Sequence, residues 1–587
     1  MRVVALDHIP DDPDLRRAWN ELALGMEQPE VFYTYEWAIA VEVAYKNLLT
    51  PIIVLAYEDE SLVGVAALAR KNGGEMVFLT ADTADYCEFL TASSIRREFV
   101  HAVFSELRSL RVANAVFTNL PAESASIDAM SRACSIVGYH LHLRMAYDCA
   151  QVRLGSGEER ELLKQSVLAK KRLRRNLREL AKRGIVTFRH ETDWSEIESL
   201  LPQFMRAHIA RFLETGKTSN LIRPERRVFL EVLAHELSGP EWIAFSRLLV
   251  NDVTAAWNYG FRFAGSWFWY QPTVNDDYGD FSPGYCLLAK IVELACVSPE
   301  LGMVDLGLGA EGYKERFANT SRRTLYCELN RSLVRHWRAL ARYRLTEIAT
   351  TSPALEGRMR SALSAVREVR RNIVSAGLGA TLKRVGRRIR RTLFSYEKVL
   401  FFEWPADTGT PDSSGIRLEP LVPDALGAAA VQYGNDSASL GFLTRSAQRL
   451  RSEGGEGFVL MTDEGIPVHF CWAKEFKGFH MAELDLTLQA PCENAVMIFD
   501  CFTPASARGH GFFPQAIAML ARQLSSQGKS AWIFGAETNR ASVHGIEKTG
   551  FQYKFTLGRR RILLFNETRD SVPLAAASCH DSRVSTS

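Results

Sequence analysis

Residues 495–524 have the sequence AVMIFDCFTPASARGHGFFPQAIAMLARQL. An apolar run typical of a strand leads into a turn that contains Gly509 and Gly511, and an amphipathic helical pattern follows. Glycine lets the backbone turn tightly and approach a ligand with no Cβ in the way. A helix that begins after such a turn presents unpaired amides and the positive end of its dipole to an anion. The stretch therefore predicts a phosphate-binding turn between a strand and a helix of an α/β fold.

The spacing around the two glycines narrows the kind of phosphate ligand. No Lys-Ser/Thr pair follows them, which excludes the P-loop of nucleoside triphosphatases. Pro514 stands where a dinucleotide-binding turn needs its third glycine. The remaining pattern, RGHGFF at 508–513, resembles the R/Q-x-x-G-x-G/A motif of the GNAT superfamily of acyl-CoA-dependent N-acetyltransferases. Phe513 departs from that motif, because it replaces the last small residue.

A second motif lies at residues 530–551, SAWIFGAETNRASVHGIEKTGF. Its order of a strand, an asparagine, a short helix and a closing Gly-Phe resembles the second GNAT motif. Asn539 is a favourable N-cap for the helix, and Gly550 is a favourable residue to end it. The family commonly has an acid tyrosine four positions before the closing glycine, where this chain has Ile546.

The resemblance implies that acetyl-CoA or another acyl-CoA binds as a substrate in a splay between two parallel strands. A substrate amine would attack the thioester directly while a general base removes its proton. It implies contacts with the acyl-CoA from the turn and from the helix cap, namely from Phe502, Thr503, Arg508, Gly509, His510, Gly511, Phe512 and Asn539. Candidate bases are three carboxylates near strand ends, although such groups are more often surface residues: Glu483, Asp485 and Glu537.

One order of elements occurs three times along the chain. Strand–turn–strand patterns at 52–70, 243–263 and 457–474 are each followed by an amphipathic helix and an apolar strand. The strands after the helices are expected near 113–118, 302–308 and 530–536. The repeat predicts three related α/β modules, with chance as the alternative because this order of elements is common.

The first 330 residues resemble the CelD/BcsL-type acetyltransferases linked with cellulose and exopolysaccharide production. The resemblance rests on a basic helix at 162–184, LLKQSVLAKKRLRRNLRELAKRG, and on later segments that end in VDLGLGAEGYKERFA at 304–318. More distantly, two fused halves with such a helix resemble Fem-type aminoacyl transferases. The basic helix is compatible with contacts to a phosphorylated substrate, to the phosphates of CoA or to RNA, and with a solvated surface.

This half also contains candidate site residues. Ser282 and Gly284 begin a helix and are expected to bind the cofactor in the manner of the glycine turn. Asp305 and Lys314 flank a glycine turn after a strand, and we expect them to form a pair that orients a substrate group. His208 is a further catalytic candidate, with a packing role as its alternative.

Composition and charge bound the class of protein. The 587 residues are 47% hydrophobic and 24% charged with a net charge of +3, typical of several globular domains. We expect no signal peptide and no membrane span, hence a cytoplasmic protein. The ten cysteines occur singly, which favours reduced thiols and no metal site. Residues 358–391 hold eleven basic residues against Glu368 alone, so a solvated linker or contact with anionic membrane is expected.

These patterns predict an α/β chain of three GNAT-like modules, the first two paired as in Fem and CelD proteins. The expected domains are N-terminal and CelD-like halves, a basic helical linker, a C-terminal GNAT domain and a disordered tail, at 1–150, 151–340, 341–394, 395–567 and 568–587. The predicted function is acyl-CoA-dependent N-acylation of an amine of a sugar, peptide, polysaccharide or other envelope precursor. The alternatives are a non-catalytic regulatory or membrane-docking protein and a Fem-like, aminoacyl-tRNA-dependent transferase; other nucleic-acid contacts are not expected.

Overall fold

The computed structural model describes residues 1–309, 312–350, 394–405, 415–452, 454–481, 484, 486–562 and 565–570. The predicted basic segment 358–391 lies outside the described residues. Contacts within the chain define two compact units, formed by residues 1–211 with 220–348 and by residues 212–219 with 349–587. No helix among the described residues is both long and apolar enough to cross a membrane.

The first unit contains ten α-helices and thirteen strands within the described residues. The helices are α1 (Pro13–Leu24), α2 (Tyr35–Tyr45), α3 (Arg96–Ser109), α4 (Ser126–Val137), α5 (Gly157–Ala169), α6 (Lys171–Arg183), α7 (Trp194–Glu214), α8 (Pro224–Ser238), α9 (Pro283–Val297) and α10 (Leu333–Thr350), of which α7 and α10 extend past the unit's bounds. The strands are β1 (Arg2–Leu6), β2 (Leu49–Glu58), β3 (Ser61–Lys71), β4 (Met76–Phe78), β5 (Leu90–Thr91), β6 (Asn114–Pro121), β7 (His140–Arg153), β8 (Val186–Glu191), β9 (Ile243–Val250), β10 (Val253–Phe263), β11 (Ser266–Val274), β12 (Met303–Leu308) and β13 (Thr320–Asn330).

The strands of the first unit form one continuous sheet. Its order is β1-β2-β3-β4-β6-β13-β7-β12-β11-β10-β9-β8, and β5 pairs with β3 beside this path. The last strand of each predicted half lies next to the other half, because β7 pairs with β12 and β13 pairs with β6. The expected boundary between residues 150 and 151 falls within β7. The two halves therefore share a sheet through exchanged strands.

The second unit contains a smaller mixed sheet with helices. The helices are α11 (Pro423–Tyr433), α12 (Ser437–Leu450), α13 (Phe512–Ser526) and α14 (Arg540–Lys548). The strands are β14 (Phe394–Glu403), β15 (Ile416–Pro420), β16 (Glu456–Thr462), β17 (Pro467–Glu475), β18 (His480–Met481), β19 (Leu486–Thr487), β20 (Ala495–Phe502), β21 (Ser530–Ala536), β22 (Gln552–Ile562) and β23 (Phe565–Asp570). Residues 568–570, expected in the tail, belong to β23, and the rest of that tail lies outside the described residues.

The sheet of the second unit repeats a feature of the first. Its order is β15-β16-β17-β20-β21-β14-β22-β23, so β14 lies between β21 and β22. In the first unit, β13 lies in the same way between β6 and β7. Each of the three modules also has a parallel pair of strands, β4 with β6, β11 with β12 and β20 with β21. The mixed α/β fold class predicted from the sequence is confirmed.

The predicted apolar stripes of three helices form the centres of the cores. The stripe of α3 is completely buried, as is that of α9, and that of α13 is at most 3% exposed. These stripes comprise Val100, Val103, Phe104 and Leu107 in α3, Leu288, Ile291, Val292 and Ala295 in α9, and Ile517, Leu520, Ala521 and Leu524 in α13. Truncation of such a buried leucine to alanine typically costs about 2–5 kcal/mol.

Candidate functional site

The two parallel strands of the second unit separate along their length. β20 and β21 pair from Ala495–Ser530 to Ile498–Ile533. Beyond this point β20 continues to Phe502 beside β17, while β21 continues to Ala536 beside β14. Asp500 has a φ of +47°, which marks the irregularity in β20 where the strands part. A fork therefore opens at the carboxyl ends of the pair, the edge at which open α/β sheets bind ligands.

The head of α13 follows one arm of this fork. Gly509 and Gly511 have φ values of +87° and +75°, in the left-handed region that glycine adopts without a steric penalty. No side chain caps the helix at Gly511, and its first turn contains no acidic residue. Among the described residues, none accepts a hydrogen bond from the amides of residues 509–512. Four unpaired amides and the positive end of a 15-residue helix therefore form an anion-binding cradle.

Side chains around the cradle add charge and shape. The Arg508 Nε donates a hydrogen bond to the Thr503 carbonyl oxygen at 3.1 Å, so its cation lies at the turn. The ring of Phe502 stacks on Phe442 with 4.5 Å between ring centroids. The exposed His510 ring lies 5.7 Å from that of Phe512. The structure thus brings seven predicted cofactor-binding residues, 502–503 and 508–512, together at one turn.

Phe513, the departure from the motif, is accommodated by a glycine elsewhere in the chain. A Cβ added at Gly545 in α14 would lie 2.9 Å from the Phe513 ring, too close for a side chain. The ring also lies 5.6 Å from that of His469. Phe513 therefore packs between elements of the core, which explains how the chain accommodates a large residue at this position of the motif.

His469 is a residue of this site that the sequence did not indicate. Its Nδ1 lies 2.8 Å from the Thr503 hydroxyl, directly after β20. The residue is 1% exposed, and its Nε2 has no hydrogen-bond partner among the described residues. Burial lowers the pKa of His469 to about 3, so the ring is neutral at physiological pH. His469 therefore positions Thr503 through a neutral hydrogen bond.

The second motif also has the predicted local structure. The Asn539 side chain accepts a hydrogen bond from the Ser542 amide at 3.3 Å and caps α14. Gly550 follows the end of that helix with a φ of +101°. Ile546 is fully buried, so the position of the acid tyrosine belongs to the core. The roles of Asn539 as a cap and of Gly550 as a helix end are confirmed.

The structure describes one of the three candidate bases. The Glu537 side chain, at the end of β21, is 52% exposed, and its carboxylate lies 3.5 Å from the Lys398 ammonium. Glu483 and Asp485 lie outside the described residues. An exposed carboxylate with a lysine partner is available to solvent, and its role as a base stays a prediction.

A second fork lies in the first unit. β11 and β12 pair from Ser266–Met303 to Phe268–Asp305, and β11 then continues to Val274 beside β10, while β12 continues to Leu308 beside β7. The predicted cofactor residues Ser282 and Gly284 are at the head of α9. The Ser282 amide donates a hydrogen bond to the Gly279 carbonyl oxygen, and Pro283 has no amide hydrogen. This helix head therefore offers fewer unpaired amides than that of α13.

Asp305 and Lys314, predicted to form a pair that orients a substrate group, each have other partners in the structure, and their role as a pair stays a prediction. Asp305 is 2% exposed and accepts hydrogen bonds from the Tyr86 hydroxyl, the Gln151 amide and the Gly307 backbone amide at 2.8, 2.7 and 2.7 Å. The Lys314 ammonium donates to the Leu308 carbonyl oxygen at 2.8 Å. The carboxylate of Asp305 is therefore fully engaged by residues from both halves.

Asp85, which is half-buried, adjoins this cluster, and no sequence motif surrounds it. Burial and the charge of Asp305 raise the pKa of Asp85 to about 7, while Lys314 opposes the shift. A Cβ added at Gly307, whose φ is +71°, would lie 2.6 Å from an Asp85 carboxylate oxygen. The backbone at position 307 packs so closely against Asp85 that only glycine, which has no side chain, fits there.

His208 lies in the interior of the first unit. It is 3% exposed, and its ring lies 6.2 Å from that of Phe204 in α7. Burial lowers the pKa of His208 to about 3, and the positive charges of Arg211 and Arg226 act in the same direction. A neutral, buried ring favours the packing alternative, and the catalytic role of His208 stays a prediction.

Comparison with known proteins identifies one domain. Residues 169–315 match the family model of the acetyltransferase (GNAT) domain, so the expected GNAT relationship is confirmed for this part of the chain. No curated protein sequence matches the chain.

Three of the solved structures similar to the chain each cover slightly more than half of it. FemX is 10% identical, with 58% of this chain and 99% of that chain covered and a TM-score of 0.40. L-PGS from Bacillus licheniformis is 11% identical, with 51% and 95% covered and a TM-score of 0.34. A tandem GNAT protein from the clavulanic acid biosynthesis pathway is 11% identical, with 56% and 98% covered and a TM-score of 0.33.

Proposed function

We propose that the chain is an acyltransferase that takes an acyl group from acyl-CoA and passes it to an amine. The observation that carries this proposal is the fork between β20 and β21 beside four unpaired amides at residues 509–512. A pyrophosphate matches such a cradle in charge and in its need for donors. The acyl arm of the same molecule would extend into the fork.

The chemistry needs little from the protein beyond positioning. The amine nitrogen attacks the thioester carbonyl carbon, the C–S bond breaks, and CoA leaves as a thiolate that then takes up a proton. The proton from the attacking amine passes to a general base, for which Glu483, Asp485 and Glu537 are the candidates in this module. Correct placement of two reactants supplies a large part of such a rate acceleration.

We further propose that the acceptor is an amine of a sugar, polysaccharide or other envelope precursor. The support is the resemblance of residues 1–330 to CelD/BcsL-type acetyltransferases, together with the GNAT domain matched at 169–315. The protein would act in the cytoplasm, with the basic segment 358–391 as a contact to anionic membrane.

Calorimetric titration of the full chain tests the donor. We expect saturable binding of CoA and binding of pantetheine, which lacks the pyrophosphate, weaker by roughly 100-fold or more. Release of free thiol from acetyl-CoA in the presence of glucosamine would then measure transfer. Equal affinities for CoA and pantetheine, or no binding of CoA, would contradict the proposed donor site.

A further inference from the structure

The basic helix α6 borders an open cavity in the first unit. The cavity has a volume of about 690 Å³ and lies between α6 and the residues that precede α9. Its lining residues are Lys171, Arg172, Arg175, Asn176, Glu179, Asp280, Phe281 and Ser282. We call this cavity the α6 groove.

Three cations of α6 line the groove, and the carboxylates of Glu179 and Asp280 line it with them. Lys171, Arg172 and Arg175 form no ion pair with any residue that the structure describes. The Glu179 carboxylate, also in the lining, accepts a hydrogen bond from Lys182 at 2.8 Å. Unpaired cations grouped around a cavity favour a negatively charged ligand.

A buried amide provides an independent observation. Asn176 is 8% exposed, and its side-chain Nδ2 has no hydrogen-bond partner among the described residues. Buried polar groups in folded proteins almost always have a partner, because an unsatisfied donor destabilises the fold. A ligand oxygen in the groove would satisfy this donor.

The far wall of the groove contains a strained serine. Ser282 has φ and ψ of +48° and +56°, which a residue other than glycine rarely adopts. Its hydroxyl oxygen accepts a hydrogen bond from the Arg172 guanidinium at 3.1 Å. The guanidinium also lies 5.6 Å from the centre of the Tyr285 ring. These contacts hold Arg172 at the groove before any ligand arrives, which lowers the entropy lost on binding.

We propose that the α6 groove binds a phosphate group of a small-molecule ligand through side chains. Arg172, Arg175 and Lys171 supply the charge, and Asn176 donates a further hydrogen bond. Recognition by guanidinium groups suits phosphate because their donors match its oxygens in pairs. These contacts come from α6, which precedes strands β8–β12 in the chain. They do not involve the amide cradle at the head of α13. The phosphate belongs either to an acyl-CoA or to a phosphorylated acceptor.

The test uses the full chain that carries Gly511→Asp, so that the cradle at α13 is blocked. Inorganic pyrophosphate is titrated into this protein and into versions with Arg175→Ala, Lys171→Ala or Asn176→Leu added. We expect binding in the Gly511→Asp protein and roughly ten-fold weaker binding with Arg175→Ala or Lys171→Ala. Arg178→Ala removes an exposed cation of α6 outside the lining and should change the affinity less than about two-fold.

The outcomes separate this site from the proposed donor site. Lack of pyrophosphate binding by the folded Gly511→Asp protein, or equal binding by the Arg175→Ala, Lys171→Ala and Arg178→Ala versions, would overturn the groove and leave the donor proposal standing. Binding of pyrophosphate that depends on Arg175, in a wild-type chain that does not bind CoA, would support the groove and contradict the donor proposal.

Two further titrants identify the source of the phosphate. CoA and glucosamine 6-phosphate are titrated into the Gly511→Asp protein with and without Arg175→Ala. The compound whose affinity falls with Arg175→Ala is the source of the phosphate. This result supports a phosphate site in the α6 groove. A single-stranded oligonucleotide that binds through Arg175 while pyrophosphate does not bind would overturn the proposal in favour of a nucleic-acid surface.

Discussion

The helices α13 and α9 begin at equivalent places in two modules, each after a strand whose parallel partner has moved away. At α13 two glycines with positive φ leave four amides unpaired, and one cation, Arg508, lies at the turn. At α9 a serine amide and a proline replace those donors, and the cations of α6 line the adjacent groove. The two helix heads thus offer different donors to an anion, backbone amides in one and side chains in the other.

The third helix head shows that the fold alone does not make a site. α3 begins at Arg96, whose guanidinium donates to the Glu27 carboxylate at 2.7 Å and to the Thr91 carbonyl oxygen at 3.1 Å. No glycine precedes this helix in residues 91–95. The same arrangement of strands and helix therefore supports a backbone cradle, a side-chain groove or a structural ion pair, according to the residues at one turn.

The largest effect is expected from Gly511→Asp in the full chain. The new carboxylate would occupy the cradle with a negative charge at the positive end of α13, and CoA binding should fall by roughly 100-fold or more. Calorimetry measures this change. Gly528→Asp is the matched control, because this exposed glycine has a φ of +73° and follows the other end of the helix. Equal losses in both variants would show that backbone strain alone explains the effect.

Asp305→Ala tests whether the hydrogen bonds of Asp305 stabilise the fold at the fork of the first unit. Three buried hydrogen bonds to a carboxylate would be lost, so the free energy of unfolding should fall by about 3 kcal/mol. Denaturant titration measures it, with Asp148→Ala on the exposed face of β7 as the control. A variant that loses turnover but keeps its stability would instead place Asp305 in a catalytic site.

Asp85→Asn should stabilise the protein in a manner that depends on pH. Because the pKa of Asp85 is about 7 in the folded state and near 4 in the unfolded chain, ionisation penalises the fold as pH rises from 4 to 7. The gain in Tm from Asn over wild type should therefore grow between pH 5 and pH 8. A gain that is constant or declines over this range would show that the carboxyl titrates normally.

The smallest effect is expected from Asn539→Ala, which removes a helix cap. The cost should be about 1 kcal/mol of unfolding free energy, and Asn539→Ser should restore most of it. CoA affinity is measured on both variants. Weaker CoA binding in the stable serine variant would show that the asparagine contacts the ligand as well as the helix.

Short stretches of sequence were sufficient to predict several local features of the structure. The turn at Gly509 and Gly511, the cap at Asn539 and the apolar stripes of three helices depend on neighbouring residues, and each has the predicted structure. The contacts between distant residues could not be predicted. Tyr86 and Asp305 are 219 positions apart, and the loop around Tyr86 contains no motif. The exchange of β7 and β13 was equally hidden, because a strand's own residues do not specify which strand it pairs with.

The packing contacts of single side chains could not be predicted from the sequence for the same reason. Phe513 departed from the GNAT motif in the sequence, and only the structure shows the glycine at position 545 that makes room for its ring. Asp305 and Lys314 are close in sequence, and the structure adds a partner for each that the sequence did not indicate, the Tyr86 hydroxyl for Asp305 and the Leu308 carbonyl oxygen for Lys314.

Hydrogen exchange at residues 509–512 reports whether CoA binds at the head of α13. These amides have no acceptor among the described residues, so they should exchange rapidly in the free protein. Exchange is followed by mass spectrometry on the full chain with and without saturating CoA. We expect strong protection of this turn by CoA and little change at the head of α3. Binding of CoA that leaves residues 509–512 unprotected would contradict the proposed donor site.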